Sequence, residues 1–349
     1  MRIWRTSLRD WFVNSARYVA DWVRLGAGAL AHAFSGRTPP YAYQALIRLF
    51  CSSGGRSSDA ISRWLSRIGP SHALPRPNGV LGALIASDLA AIEVSLRTRG
   101  YHVFPQTIPA DMCDRLLQFG LRQPSLLRAE ESGGEELLRP YSMDRLTPRA
   151  VRYDLQVGDL LANADIQALL CDATILAVAN AYLGSNPIAD VLSMWWHTAY
   201  SDQPSEAAAQ FFHFDMDRVK WLKFFIYLTD VGIENGPHSF VAGSHRTGSI
   251  PAALLRKGYA RLTDEEVRQY FATEQLIEFT GARGTVIVED TRGLHKGRHV
   301  ESGDRLVLQL QYSNSLFGGN YPKVFFPADL IPELQDSIQK YPEIYRNFT

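Results

Sequence analysis

The sequence predicts an α+β protein whose core is a double-stranded β-helix, the jelly-roll or cupin-like barrel, with flanking helices and a helical N-terminal extension. Three observations carry this. Helical periodicity dominates the first half of the chain. From Ile188 onward it gives way to short runs rich in β-branched and aromatic residues, and no β-α-β alternation links the two halves. Helices segregated from strands argue for an antiparallel sandwich or barrel, of which the jelly roll is the natural candidate.

With 349 residues, 46% hydrophobic and 21% charged, the chain can bury a core of ordinary globular size, as one large domain with an appendage or as two small domains. The division falls near residue 90: a helical, Arg-rich extension over 1–90 and a jelly-roll domain over 91–349. Formal net charge is zero, so no basic footprint points to nucleic acid. The charge is uneven, however. Residues 1–70 hold ten arginines, no lysine and three acids, a local net of +7 balanced by −7 over the rest. Cys51, Cys113 and Cys171 form no C-x-x-C pair, which argues against a disulfide framework or zinc knuckle and for a reducing, cytoplasmic compartment. No run reaches the ~18 apolar residues of a membrane span. A secretory signal fits poorly because acids interrupt the first 24 residues; an Arg-rich start leaves a transit peptide open.

Taken in order, Trp4, Leu8, Trp11/Phe12, Ser15/Ala16, Val19 and Trp22/Val23 step by threes and fours along one helix stripe, with most arginines off it. Such a helix either packs on the catalytic domain or lies in a membrane interface, its arginines meeting anionic lipid. Short helices follow near Tyr41–Phe50 and Ser58–Arg67, then a Pro-containing linker over Ser71–Gly79. A helix over Leu81–Arg97 stops at Gly100, and a strand covers Tyr101–Phe104. Pro109-Ala110-Asp111 opens another helix, with Asp111 in capping position. Residues 125–160 read as a long loop, and one continuous helix is expected from Asp165 to Tyr182. The strands expected thereafter are Val191–Tyr200, Phe211–Asp215, Lys223–Thr229, Leu276–Phe279, Thr285–Glu289 and Arg305–Tyr312.

His213-Phe214-Asp215 places an imidazole and a carboxylate on one face of an extended run, two thirds of a ferrous site. A second histidine from another strand would complete it. His295 follows the Thr285–Glu289 strand by a turn, and Arg305 stands ten residues later at the start of the last strong strand. Arg305, Val307, Gln309 and Gln311 share the more polar face of that strand, where an unpaired guanidinium is costly unless a carboxylate ligand meets it.

From about residue 90 to 320 the chain resembles the phytanoyl-CoA dioxygenase family of Fe(II)/2-oxoglutarate oxygenases. The resemblance rests on His213-Phe214-Asp215, on Phe225 to Val231, and on Glu234-Asn235-Gly236-Pro237 leading into Gly243-Ser244-His245-Arg246. It continues through Gly284-Thr285-Val286, His295 and Arg305. It implies Fe(II) held by His213, Asp215 and His295, and 2-oxoglutarate held at its distal carboxylate by Arg305. With O₂ as co-reactant, the implied reaction hydroxylates a small organic or lipid-linked substrate and releases succinate and CO₂. Related halogenases replace the carboxylate ligand with a small residue, so Asp215 favours hydroxylation. Members often place the arginine eleven residues after the distal histidine rather than ten, which leaves Arg298 as a competitor. The contacts to the inner end of 2-oxoglutarate cannot be matched within Met194–His197.

Other readings stand beside these. Arg305 could pair structurally with Glu289 or Asp304, and His299 could replace His295. His245 more often braces a loop than touches substrate, Trp195, Trp196, Phe211 and Phe212 are core by type, and Asp217-Arg218 reads as a solvated turn. A degenerate jelly roll that binds a ligand or sugar without turnover is one alternative function. A cupin-type metalloenzyme without 2-oxoglutarate, for which Arg305 is dispensable, is another.

Overall fold

The protein is described from a computed structural model over residues 8–69, 72–128, 141–258 and 260–349, with the side chains of residues 8–15 left aside. The apolar positions Trp4, Leu8, Trp11 and Phe12, and residues 129–140 of the expected long loop, therefore lie outside the described residues or side chains.

Three helices open the chain: α1 (Leu8–Ser35), α2 (Pro40–Ser53) and α3 (Arg56–Ile68). A two-residue hairpin, β1 (Asn78–Gly79) and β2 (Gly82–Ala83), replaces the start of the expected third-region helix, which begins later as α4 (Ala86–Arg99). Strand β3 (Tyr101–Phe104) is where periodicity put it. The next helix, α5 (Ala110–Arg122), starts at Pro109 with no side-chain cap; Asp111 instead pairs with Arg115 at 2.7 Å. The expected loop over 125–160 contains β4 (Ser125–Arg128), β5 (Arg152–Leu155) and α6 (Val157–Leu161). The continuous helix expected over Asp165–Tyr182 is two, α7 (Ala164–Leu170) and α8 (Ala173–Leu183). Asp172 breaks it, because its carboxylate accepts from the Thr174 and Ile175 amides as the N-cap of α8.

Then come the long strands β6 (Ile188–Thr198) and β7 (Trp221–Tyr227), the short β8 (His238–Val241), β9 (Leu276–Phe279), β10 (Val286–Glu289) and β11 (His295–Gly297), and β12 (Asp304–Ser313). Seven strands form an antiparallel sheet in the order β3-β10-β7-β12-β6-β5-β4, and β11-β8-β9 form a second, smaller one. This is the expected jelly-roll arrangement. The Phe211–Asp215 run is a correction: it is not a regular strand but makes single bridges, Phe212 to Leu262 and His213 to His295.

Alternation along β12 sorts the two faces of the large sheet. Leu306, Leu308, Leu310 and Tyr312 bury against α5–α8, in a core that includes Leu116, Leu169 and Ile175. Helix α5 comes so close that a Cβ on Gly120 would lie 2.8 Å from Leu306 Cδ2. Val307 on the opposite face packs with Trp195, Phe225 and Ile287 against Phe240 and Phe279 of the small sheet. The N-terminal helices do not stand apart. Leu25, Leu46 and Phe50 share a third core with Phe212, Phe214 and Leu294, the immediate neighbours of the candidate site residues.

Candidate active site

His213 and His295 face each other across a two-way backbone bridge: His213 N–H donates to the His295 carbonyl at 2.9 Å, and His295 N–H returns the bond at 2.8 Å. Directly opposed residues of an antiparallel pair project to one side, so the rings lie 4.3 Å apart between centroids. Asp215 N–H bonds the Thr291 carbonyl at 2.8 Å and turns its carboxylate into the same space. One atom from each of the three residues falls within 4.8 Å of the others, all buried. Nε2 of His213 lies 3.7 Å from one Asp215 oxygen, and Nε2 of His295 lies 3.3 Å from the other.

The second nitrogens decide what these rings can do. His213 Nδ1 sits 2.9 Å from the Phe211 carbonyl and His295 Nδ1 3.0 Å from the Gly293 carbonyl. A carbonyl only accepts, so each Nδ1 must carry the proton and each neutral ring presents a bare Nε2 lone pair. Two ring nitrogens anchored this way beside a carboxylate would hold a metal as a 2-His-1-carboxylate centre. Burial drives the His213 pKa well below its ordinary value, with His295 adding to the effect, which favours the neutral ligand form; burial lowers the His295 pKa too, but the Asp215 carboxylate beside its Nε2 raises it above the ordinary value. Burial would raise the Asp215 carboxyl, but Lys223 and the two histidines hold it well below the usual carboxylate range.

Arg305 is 1% exposed. Its Nη2 donates to His197 Nδ1 at 2.6 Å, and no carboxylate among the described residues pairs with it. The structural partners considered from sequence are engaged elsewhere: Asp304 with Arg145, and Glu289 beside His238. His197 is kept neutral by burial and then by the charges of Arg305 and Arg152. Arg305 lines the same cavity of about 160 Å³ as the three candidate ligands, together with Trp195 and Gln309. A buried guanidinium that lines this cavity and has no carboxylate partner among the described residues suits one end of a dicarboxylate. Arg298 is at the surface, paired with Glu278 and Glu301, and His245 bonds the Arg97 carbonyl at 3.2 Å. His299 stays outside the cavity lining.

Among the cavity residues that sequence reasoning missed, Lys223 and His238 bear most directly on the candidate ligands. Lys223 on β7 reaches Asp215 at 2.6 Å and Asp217 at 3.1 Å; burial pulls its ammonium pKa down, but the two carboxylates push it above the ordinary value. A lone lysine inside the apolar run Trp221–Tyr227 was the available signal. His238, the residue after Gly236-Pro237, lies with its ring 5.7 Å from that of His295 and its Nε2 2.7 Å from a Glu289 oxygen, though not aligned for a hydrogen bond. Burial pushes the Glu289 carboxyl up to about 8, so it is mainly protonated near neutrality. The solvated turn expected at Asp217-Arg218 is also a correction. Arg218 is buried and forks onto Asp190 at 2.6 and 2.8 Å, because β6 bulges there and turns Asp190 inward.

Beyond Ser193 the cavity adjoins a groove of about 510 Å³ whose rim carries Arg37, Arg128 and Lys323.

The sequence pattern described as phytanoyl-CoA dioxygenase (PhyH) matches residues 96–306, more than half of the chain. The chain belongs to the phytanoyl-CoA dioxygenase family. As a PhyH-family member it is an Fe(II)- and 2-oxoglutarate-dependent oxygenase that takes O₂ and a small-molecule substrate. Among solved structures, this PhyH protein is similar to the iron-bound EctD from S. alaskensis at 21% identity, over 73% of this chain and 92% of that one, with a TM-score of 0.46. It is also similar to the α-ketoglutarate-dependent epimerase SnoN of nogalamycin biosynthesis, at 17% identity over 65% and 84% with a TM-score of 0.46. The carbocyclase SnoK of the same biosynthesis gives 14% identity over 68% and 86%, TM-score 0.47. No curated protein matches.

Proposed function

We propose that this PhyH protein hydroxylates a small organic or lipid-linked substrate, and that His213, Asp215 and His295 are its iron ligands and Arg305 its anchor for 2-oxoglutarate. The observation that supports this best is the convergence of two Nε2 atoms and a carboxylate, in one cavity with a buried guanidinium that no carboxylate among the described residues pairs. When bound, ferrous iron supplies O₂ activation coupled to decarboxylation of 2-oxoglutarate to succinate and CO₂. The protein's part is to hold and exclude. Lys223 fixes Asp215 in place, His197 orients the Arg305 fork, and Trp195 and Phe225 wall the cavity from water. The 160 Å³ cavity is small beside ordinary ligand pockets of roughly 300 Å³ or more. It suits the cosubstrate, while the adjoining groove beyond Ser193 suits the substrate. Asp215 keeps the third ligand position occupied, which supports hydroxylation over halide transfer. The free cysteines Cys51, Cys113 and Cys171 fit a reducing cytoplasmic setting.

The test is anaerobic titration of the protein with Fe(II) and then 2-oxoglutarate, watching the weak visible charge-transfer band of the chelate. A band in the wild type that disappears in Asp215→Ala and weakens strongly in Arg305→Ala is the expected outcome. Metal binding without the band would exclude 2-oxoglutarate and favour a cupin-type metalloenzyme. Absence of metal binding would leave a ligand-binding jelly roll.

A further inference from the structure

Helix α1 has an inner side packed on the rest of the protein and an outer side that is exposed yet apolar. The inner side is Asp21, Leu25, Gly28 and His32, spaced by threes and fours. Arg48 closes on Asp21 at 2.7 Å, His32 meets Phe317 edge-on, and Gly28 touches α2. A helix already buried along one stripe normally turns charged residues outward. Here the far side carries Val19, Val23, Leu30 and Phe34, which are 62%, 67%, 66% and 92% exposed. Trp22 extends this stripe toward α3, where Trp64 and Ile68 are also exposed, and an apolar groove of about 600 Å³ lies between the two helices. An exposed apolar surface of that continuity marks an interaction site rather than ordinary solvent-facing surface.

The charge around it selects the partner. Arg63 and Arg67, beside Trp64 and Ile68 on α3, are exposed, and neither has an ion-pair partner among the described residues. They belong to the first 70 residues, with ten arginines and a net of +7. Valine, leucine, phenylalanine and tryptophan on one side with unpaired arginines around them match the requirements of a helix lying in the plane of an anionic membrane surface. Position adds a second reason. One residue past the end of α1, Gly36 and Arg37 become part of the rim of the groove that adjoins the metal cavity at Ser193.

We propose that the outer faces of α1 and α3 dock this protein on an anionic lipid bilayer, with the groove mouth at headgroup level. The inference concerns surface residues alone and is independent of the metal-site reading, since its readout is sedimentation rather than turnover. The full chain is spun with phosphatidylcholine vesicles, with and without phosphatidylglycerol, at low and high salt. Binding to the phosphatidylglycerol vesicles is expected, weakened by salt and by omission of the anionic lipid. Val23→Glu/Leu30→Glu and Arg63→Glu/Arg67→Glu should each cut it about tenfold or more, with circular dichroism confirming that both variants fold. No sedimentation of the wild type with anionic vesicles would overturn the proposal. So would concentration-dependent self-association that Val23→Glu/Leu30→Glu abolishes, because the face would then be a contact between copies of the chain.

Discussion

Arg305 carries opposite demands in the ligand-free and ligand-bound protein. Buried without a carboxylate, its charge costs stability; with a dicarboxylate bound as proposed, it gains a bidentate partner. Arg305→Met should therefore raise the melting temperature of the ligand-free protein while weakening 2-oxoglutarate binding roughly a hundredfold or more. Parallel thermal melts and anaerobic titrations read both effects, and a variant that loses stability and affinity together would contradict this assignment. Lys220 gives a second test, away from the cavity. Burial lowers its ammonium pKa to about 7, where it stacks 4.1 Å from the Tyr182 ring centre. A folded-state pKa below the unfolded one contributes stability at high pH that is lost as pH falls through the folded value. Lys220→Met should accordingly stabilise the protein more at pH 7 than at pH 9, measured by urea unfolding at both. The candidate ligands and Arg305 were nameable from sequence because the resemblance to the PhyH family assigns them, H-x-D by itself being a weak pattern, and the fold brings them to one cavity. Lys223 and His238 were not, since a single lysine in an apolar strand reads the same whether it meets water or two buried carboxylates.

At the scale of elements, close approach decides more than propensity. Gly28 on α1 lies so near α2 that an added Cβ would stand 2.1 Å from the Ala42 Cβ, far inside contact distance. Gly28→Ala should destabilise the helix pair by about 1–3 kcal/mol despite alanine's better helix propensity, and Ala42→Gly in the same chain should recover part of the loss. Hydrogen exchange along α1 and α2 measures it; a Gly28→Ala protein with unchanged protection would show the contact to be slack. The strands β9 and β12 were legible from alternation and turn signals, because half-buried strands write their burial into period two. The short β8 and β11 were not, because three or four residues are too few for a pattern. The break between α7 and α8 escaped for another reason. Both flanks are apolar, and only the Asp172 cap separates one long helix from two.

Over the whole molecule, the Arg-rich composition of the N-terminal segment was plain in the sequence, but its role in the core was not. Periodicity reveals a stripe and not what covers it. Phe50 stacks on Phe214 with ring centres 5.4 Å apart, so α2 supports the residue between the two proposed ligands of the H-x-D motif. Asp59 of α3 likewise reaches Arg292 at 2.8 Å, beside Thr291, whose carbonyl holds the Asp215 amide. The two-way bridge between His213 and His295 has a further meaning at this scale. It joins segments separated by roughly 80 residues, and closing so long a loop is entropically expensive for a chain with nothing to fasten it. A metal ion gripping both rings would act as a removable staple across that loop, slowing the excursions that open it. Loading the protein with Fe(II), or with redox-inert Mn(II), should then retard thermolysin cleavage within 216–294 far more than elsewhere, and a chelator should restore the faster rate. On that account the iron content of a preparation would govern how long the enzyme survives as well as how fast it works.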